Sequence, residues 1–160
     1  MIVLLIGPSG VGKSFLGEMI AREKSYKFEK LDKYVDKGVG IDSIDLKLEA
    51  KIRGCLDSLI LQDKIFIIDV GAGFQKKFEF DFFKKYKKYL IYIFPRDIKD
   101  LKNKVEGRSI EGLENEEYSE KRKNVYNLAE HQLKRKVNFR DKNCIEDLNE
   151  LNRLILKISY

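Results

Sequence analysis

Residues 7–14 read Gly-Pro-Ser-Gly-Val-Gly-Lys-Ser and satisfy the pattern Gly-x-x-x-x-Gly-Lys-[Ser/Thr]. Immediately before them stands an apolar run, Ile2-Val3-Leu4-Leu5-Ile6. Immediately after comes a helical pattern over 13–23, with Leu16, Met19 and Ile20 on one side. A glycine-rich segment between a buried strand and a helix lets backbone N–H groups curl around a phosphate chain, and the helix N-terminus adds its partial positive charge. Gly7, Pro8, Ser9, Gly10, Val11, Gly12, Lys13, Ser14 and Phe15 therefore form the expected nucleotide-binding segment. Lys13 is expected to reach the β- and γ-phosphates, and the Ser14 hydroxyl to take a place on Mg²⁺. The alternative is a glycine-rich turn that binds nothing, and it would leave the flanking strand and helix a coincidence. The pattern implies ATP with Mg²⁺ as ligand.

Along the rest of the chain, short apolar runs alternate with helical patterns. A second strand is expected over 26–31. One or two helices follow over 41–61, with Ile44, Leu48, Ile52, Leu56 and Leu59 as a stripe. Ile65-Phe66-Ile67-Ile68 reads as a buried strand ending at Asp69. Residues 76–88 read as helix, 89–94 as a strand and 97–105 as a short helix. The polar, acidic stretch 106–118 has no periodicity and is expected to be a mobile lid loop. Residues 119–134 read as helix, 137–139 as a last strand and 145–158 as a closing helix with Leu148, Leu151, Leu154 and Ile155 inward. Five strands alternating with helices predict an α/β fold: a doubly wound, five-stranded parallel sheet in three layers. No repeat or low-complexity linker interrupts the 160 residues, so one domain over 1–160 is expected.

Composition narrows the function classes. No run approaches the 18 or so apolar residues of a membrane span, and the start of the sequence has no basic lead with a cleavage site. A cytoplasmic protein, working as a monomer, is the expectation. Cys55, Cys144 and the single His131 offer neither a zinc set nor a disulfide framework. The net charge of +6 suits polyanionic ligands. The most suggestive basic stretch is 78–89, where aromatics interleave with Lys84, Lys85, Lys87 and Lys88. Phe82, Phe83, Tyr86 and Tyr89 recur at helical spacing, so a buried aromatic side with a lysine-coated outer side is favoured over a nucleic-acid surface.

Ligands of doubly wound sheets bind beyond the carboxyl ends of the strands. Beside the glycine-rich loop, that edge should collect Asp32 after the second strand and Asp69-Val70-Gly71-Ala72-Gly73 after the third. An acid directly after four apolar strand residues is the usual place for a carboxylate that orders Mg²⁺, which makes Asp69 a metal candidate with Ser14. A turn-capping Asp is the competing explanation.

With these residues in view, the chain resembles shikimate kinase, within the nucleoside-monophosphate-kinase-like group of P-loop proteins. The resemblance spans nearly the whole chain. It rests on the loop at 7–14, on Gly71-Ala72-Gly73 after the third strand, on Glu106-Gly107-Arg108-Ser109-Ile110 at the start of the lid, and on Lys121-Arg122-Lys123-Asn124-Val125-Tyr126. The last is similar to the family's Arg-x-Pro-Leu-Tyr, with the spacing from Arg122 to Tyr126 preserved. The resemblance implies phosphate and metal roles for Lys13, Ser14 and Arg108, and an acceptor carboxylate on Arg122. It also implies that the acceptor approaches the backbone at Gly71, Ala72 and Gly73 while Asp32 holds its hydroxyls. Departures are equally specific: Lys30 stands where the family's first acid would be, and Lys47 or Arg53 would have to replace a second arginine.

Together these readings predict an ATP-dependent kinase that transfers the γ-phosphoryl group to a hydroxyl of a small, carboxylated acceptor. Lys13, Asp32 and Arg108 are its expected catalytic residues. Two alternatives stand beside it: a nucleoside or nucleotide kinase, and a non-catalytic nucleotide-dependent binding module.

Overall fold

The structure is a computed structural model that describes residues 1–35, 44–95, 116–129, 136–139 and 145–160. In chain order these residues form β1 (Ile2–Ile6), α1 (Lys13–Lys24), β2 (Lys27–Lys30), a 3₁₀ turn (Leu31–Tyr34), α2 (Leu46–Ile60) and β3 (Phe66–Asp69). Then follow α3 (Ala72–Lys77), α4 (Phe80–Lys85), a second 3₁₀ turn (Lys87–Tyr89), β4 (Leu90–Pro95), α5 (Glu116–Asn127), β5 (Lys136–Phe139) and α6 (Ile145–Ser159). The sheet order is β2-β3-β1-β4-β5, with every pair parallel, as the alternating pattern predicts.

β1 is central and its five residues are fully buried. Successive side chains on a strand point to opposite faces. Ile2, Leu4 and Ile6 accordingly join one core with Ile52 and Leu56 of α2, Phe74 of α3, Phe82 and Phe83 of α4, and Val125 of α5. Val3 and Leu5 join the other, with Leu16 and Ile20 of α1 and Leu148, Leu151, Leu154 and Ile155 of α6. The sheet is therefore the middle of three layers. In register, Leu5 lies opposite Asp69 and Asp69 opposite Lys30, so the carboxyl ends of β1, β2 and β3 meet at one edge.

Helix boundaries follow local chemistry. α2 begins where Asp45 Oδ1 accepts the Leu48 N–H at 2.9 Å, an N-cap. Its expected stripe is inward: Ile52, Leu56 and Leu59 are buried, while Ile44 and Leu48 pack partly against the core. The aromatic segment behaves as predicted in burial, with Phe82, Phe83, Tyr86 and Tyr89 inside and Lys84, Lys85, Lys87 and Lys88 outside.

Its backbone differs from expectation. The single helix expected over 76–88 is replaced by α3 and α4, separated by extended backbone at Phe78 and Glu79. Glu79 N–H donates to the buried Glu49 Oε2 of α2 at 2.9 Å rather than to a helical carbonyl. Phe78 in turn packs its ring 5.3 Å from Phe74 and 4.5 Å from Phe82. Ala72 and Gly73 are also helical, the first turn of α3, where an open glycine-rich segment was expected. α5 starts at Glu116, inside the stretch expected as a loop. The helix expected over 97–105, the lid residues 106–115, Arg108, His131 and Cys144 lie outside the described residues.

One close approach fixes how α1 seats on the sheet. A Cβ on Gly17 would stand 2.5 Å from Phe28 Cε2 and 3.2 Å from Leu5 Cδ1. Gly17→Ala gains about 1 kcal/mol of helix propensity but overpacks this contact, at a cost of about 1–3 kcal/mol. A net loss of about 1 kcal/mol is expected in urea unfolding, or roughly 2–4 °C in melting temperature. An unchanged or raised midpoint would mean that the Phe28 ring gives way without cost.

Candidate functional site

The loop between β1 and α1 can follow its path because Gly7, Gly10 and Gly12 take φ values of 146°, 76° and 104°, a region that side chains disfavour. At Gly7 the constraint is doubled, since a Cβ there would lie 2.1 Å from the Ile93 carbonyl oxygen of β4. Gly12 then becomes the N-cap of α1, whose first two residues are Lys13 and Ser14.

Lys13 is buried, and its Nζ donates to the carbonyls of Gly7 at 3.0 Å and Pro8 at 2.7 Å. Burial lowers its pKa to about 8; the Asp69 carboxylate opposes that shift and the Arg122 guanidinium adds to it. Ser14 Oγ donates to Asp69 Oδ2 in a short hydrogen bond. The other carboxylate oxygen, Asp69 Oδ1, is buried with no hydrogen-bond partner among the described residues. An orphaned buried acceptor of this kind calls for a donor or a cation.

These groups open on a cavity of about 550 Å³ lined by Ser9, Gly10, Gly12, Lys13, Ser14, Phe15, Lys30, Asp32, Asp69, Gly71 and Ala72. Asp32 sits in the 3₁₀ turn after β2, and a methyl group on Gly71 would be 3.6 Å from its Oδ1. Glu29 braces that turn by accepting hydrogen bonds from Tyr34 Oη and, at 2.8 Å, Lys33 Nζ. Gly7, Pro8, Val11 and Gly73 do not line the cavity. Gly7 and Pro8 turn their carbonyls to Lys13, Val11 is in the core and Gly73 lies within α3.

Arg122 is brought close by a different route. It is a buried residue of α5, and its Nη2 donates a long 3.4 Å hydrogen bond to the Ala72 carbonyl of α3. Its Nε has no partner among the described residues, nor has Tyr126 Oη one turn further on. The Tyr126 ring stacks on Tyr92 of β4, with centroids 4.4 Å apart and planes 9° from parallel, and burial raises the phenol's pKa. Arg122 is not part of the cavity lining. Neither is Arg53, which pairs with Glu49 at 2.6 Å and lies over the Phe82 ring.

Two residues at the site were not foreseen in these roles. Lys30 lines the cavity with an exposed ammonium, placed there by its pairing with Asp69. Gln75 is almost wholly buried, and its amide holds the entrance of the loop: Oε1 accepts the Gly7 N–H at 3.1 Å, while Nε2 donates to the carbonyls of Gly7 at 3.0 Å and Val70 at 2.6 Å. No local pattern marks a glutamine between Phe74 and Lys76 for such a task.

No family model matches the chain, and no curated protein sequence does. Solved structures do match over nearly their whole length. A shikimate kinase from Aquifex aeolicus is 18% identical, with a TM-score of 0.62, over 99% of this chain and 96% of that one. A gluconokinase from Sinorhizobium meliloti is 15% identical at 0.60, over 98% and 94%. A deoxyadenosine kinase from M. mycoides with bound dATP is 17% identical at 0.52, over the whole of both chains. At these identities the likeness is one of fold, the fold that these three kinases have in common.

The desolvated Lys13 has a measurable consequence. A bound polyphosphate favours the ammonium form, so its pKa must rise on binding. At pH 8, where the free lysine is part neutral, binding of ATP-Mg²⁺ should take up about half a proton. Affinity should fall as pH rises through about 8. Calorimetry in buffers of different ionisation enthalpy reads the uptake, which should vanish at pH 6.5 in the lysine's contribution and be lost in Lys13→Met. Equal proton uptake by the wild type and Lys13→Met would detach Lys13 from the phosphates.

Proposed function

We propose that this chain is an ATP-dependent small-molecule kinase that transfers the γ-phosphoryl group to a hydroxyl of a small, carboxylated acceptor, in the manner of shikimate kinase. One observation carries the reading. A glycine-rich loop, a serine–aspartate pair and a second carboxylate share the walls of one cavity of about 550 Å³. The fold shared with several small-molecule kinases supports it.

In this reading, backbone N–H groups of the loop and the start of α1 bind the phosphate chain. Lys13 leaves the carbonyls of Gly7 and Pro8 to neutralise charge on the transferring group. Asp32 orients the acceptor hydroxyl and receives its proton. The acceptor oxygen forms a bond to the γ-phosphorus as the bond from that phosphorus to the β–γ bridging oxygen breaks, and ADP leaves. Little covalent work falls to the protein, so positioning and charge neutralisation dominate.

Ser14 and Asp69 fit a magnesium site, since Mg²⁺ is commonly held by one or two carboxylates together with substrate phosphates. The unpartnered Asp69 Oδ1 is the observation that supports this. When bound, the ion would offset phosphate charge. Gly71 and Ala72 let the acceptor approach the backbone, and Gly73 shapes the first turn behind them. Arg122, which lies behind the Ala72 wall with its Nε unpartnered among the described residues, would have to give up its long bond to the Ala72 carbonyl to take the acceptor's carboxylate. Arg108, outside the described residues, keeps its proposed part as a further cation for the γ-phosphoryl group. The exposed Lys30 at the cavity wall adds to the preference for an anionic acceptor.

A coupled ADP-release screen across hydroxy acids, sugars, nucleosides and nucleoside monophosphates tests the proposal. Turnover should be strongest with a hydroxy acid, shikimate included. Turnover confined to nucleosides or nucleotides would keep the kinase and replace the acceptor. ATP binding without turnover on any acceptor would overturn the kinase in favour of a nucleotide-dependent binding module.

Two variants locate the chemistry. Asp69→Asn should cut metal-dependent turnover more than tenfold, about 1.4 kcal/mol in barrier; identical Mg²⁺ titrations would return Asp69 to a turn-capping role. Arg122→Lys should raise the acceptor KM several-fold because a point charge cannot reproduce the guanidinium fork. An unchanged KM would remove Arg122 from the acceptor site.

A further inference from the structure

Gln75 stands 68 residues from Gly7 in the chain, yet its side-chain amide pairs with both the N–H and the carbonyl of Gly7 and with the carbonyl of Val70. The donor and acceptor types leave one orientation of the amide. Its oxygen must face the Gly7 N–H, and its nitrogen must face the two carbonyls. The residue is 1% exposed, so water does not substitute for any of these contacts.

We infer that Gln75 is a positioning residue that holds the phosphate loop in its binding geometry and allows Lys13 to leave the loop for the nucleotide. In the structure the Gly7 carbonyl accepts two hydrogen bonds, from Lys13 Nζ and from Gln75 Nε2. A carbonyl has two lone pairs, and leaving a buried one with no partner is costly. When Lys13 turns to a phosphate, Gln75 keeps that carbonyl satisfied. Moving Lys13 frees the Pro8 oxygen in any case; without the amide it would strand the Gly7 oxygen as well, and the lysine would be held more firmly where the empty loop keeps it.

The same side chain links the two sides of the cavity. Val70 precedes Gly71, and Gln75 lies on the helix whose first residue, Ala72, lines the cavity and accepts the Arg122 hydrogen bond. Gly7 is thus tied through one amide to the segment that carries the acceptor-side wall. The proposal rests on the nucleotide half of the kinase reading and needs no acceptor to be tested.

The experiment compares wild type with Gln75→Met, which keeps length and loses every hydrogen bond, and Gln75→Glu, which keeps the acceptor for Gly7 N–H but loses both donors. ATP-Mg²⁺ and inorganic pyrophosphate are titrated by calorimetry at a temperature where circular dichroism shows each variant folded, and melting is recorded without ligand. Both ligands should bind at least tenfold more weakly to both variants, and Gln75→Glu should be the weaker, because its carboxylate faces two carbonyls and attracts Lys13. Lowered melting with unchanged affinities would make Gln75 a packing residue and overturn the inference. Failure of both variants to fold would overturn it in the same way. Absence of ATP binding by the wild type would instead remove the nucleotide reading on which both proposals stand.

Discussion

β1 has its five residues at zero exposure, and that burial organises the whole molecule. A strand buried on both faces cannot use one side for solvent, so its alternating side chains must be met by helices above and below. Ile2, Leu4 and Ile6 face α2, α3, α4 and α5, while Val3 and Leu5 face α1 and α6. At about 1.5–3 kcal/mol per large apolar side chain, this strand alone contributes on the order of 10 kcal/mol of burial, as an upper figure. It is also the strand that runs straight into the glycine-rich loop. The rigidity of the most buried element is thereby handed to the loop that, in the proposed function, holds phosphate.

The loop itself stores unfavourable energy. A lysine ammonium taken out of water is costly, and the two carbonyls that receive it are only a partial replacement for hydration. The Asp69 carboxylate offsets part of that cost, whereas Arg122 adds like charge. Asp69 is itself half satisfied, with one oxygen on Ser14 and the other unpartnered among the described residues. Such arrangements are tolerated in a fold when surrounding packing over-determines them, and they concentrate at functional sites. Here the surplus comes from the two cores on either side of β1.

The layer of α2, α3 and α4 shows how one buried acid redirects a backbone. Glu49 is held by Arg53 on its own helix, and its second oxygen takes the Glu79 N–H. That bond replaces a helical one at the point where the chain turns from α3 into α4. α3 accordingly ends at Lys77, and from it Gln75 reaches back to Gly7 while Ala72 presents its carbonyl to Arg122. The ion pair and the aromatic cluster of Phe74, Phe78 and Phe82 are structural devices, but the geometry of the cavity depends on them.

What the sequence determined by itself is the part governed by neighbours in the chain. Alternating apolar runs specify five strands and their order along the sequence, glycines at 7, 10 and 12 specify a loop with left-handed backbone, and the spacing of Phe82, Phe83, Tyr86 and Tyr89 specifies a buried aromatic side. Asp32 and Asp69 could be placed at the cavity because one follows β2 and the other ends β3, and the ends of those strands must share an edge. The tertiary structure alone decided the rest. Lys30 joins the wall because β2 pairs with β3 in a register that sets it opposite Asp69. Residues 76–88 read as one helix because their local propensity is helical; the break at Phe78 and Glu79 comes from Glu49, thirty residues earlier. Gln75 and Arg122 are assigned their partners by contacts spanning 68 and 50 residues. Periodicity records which face of an element is buried, but a hydrogen bond between distant elements depends on their packing positions, and those exist only once the sheet has assembled.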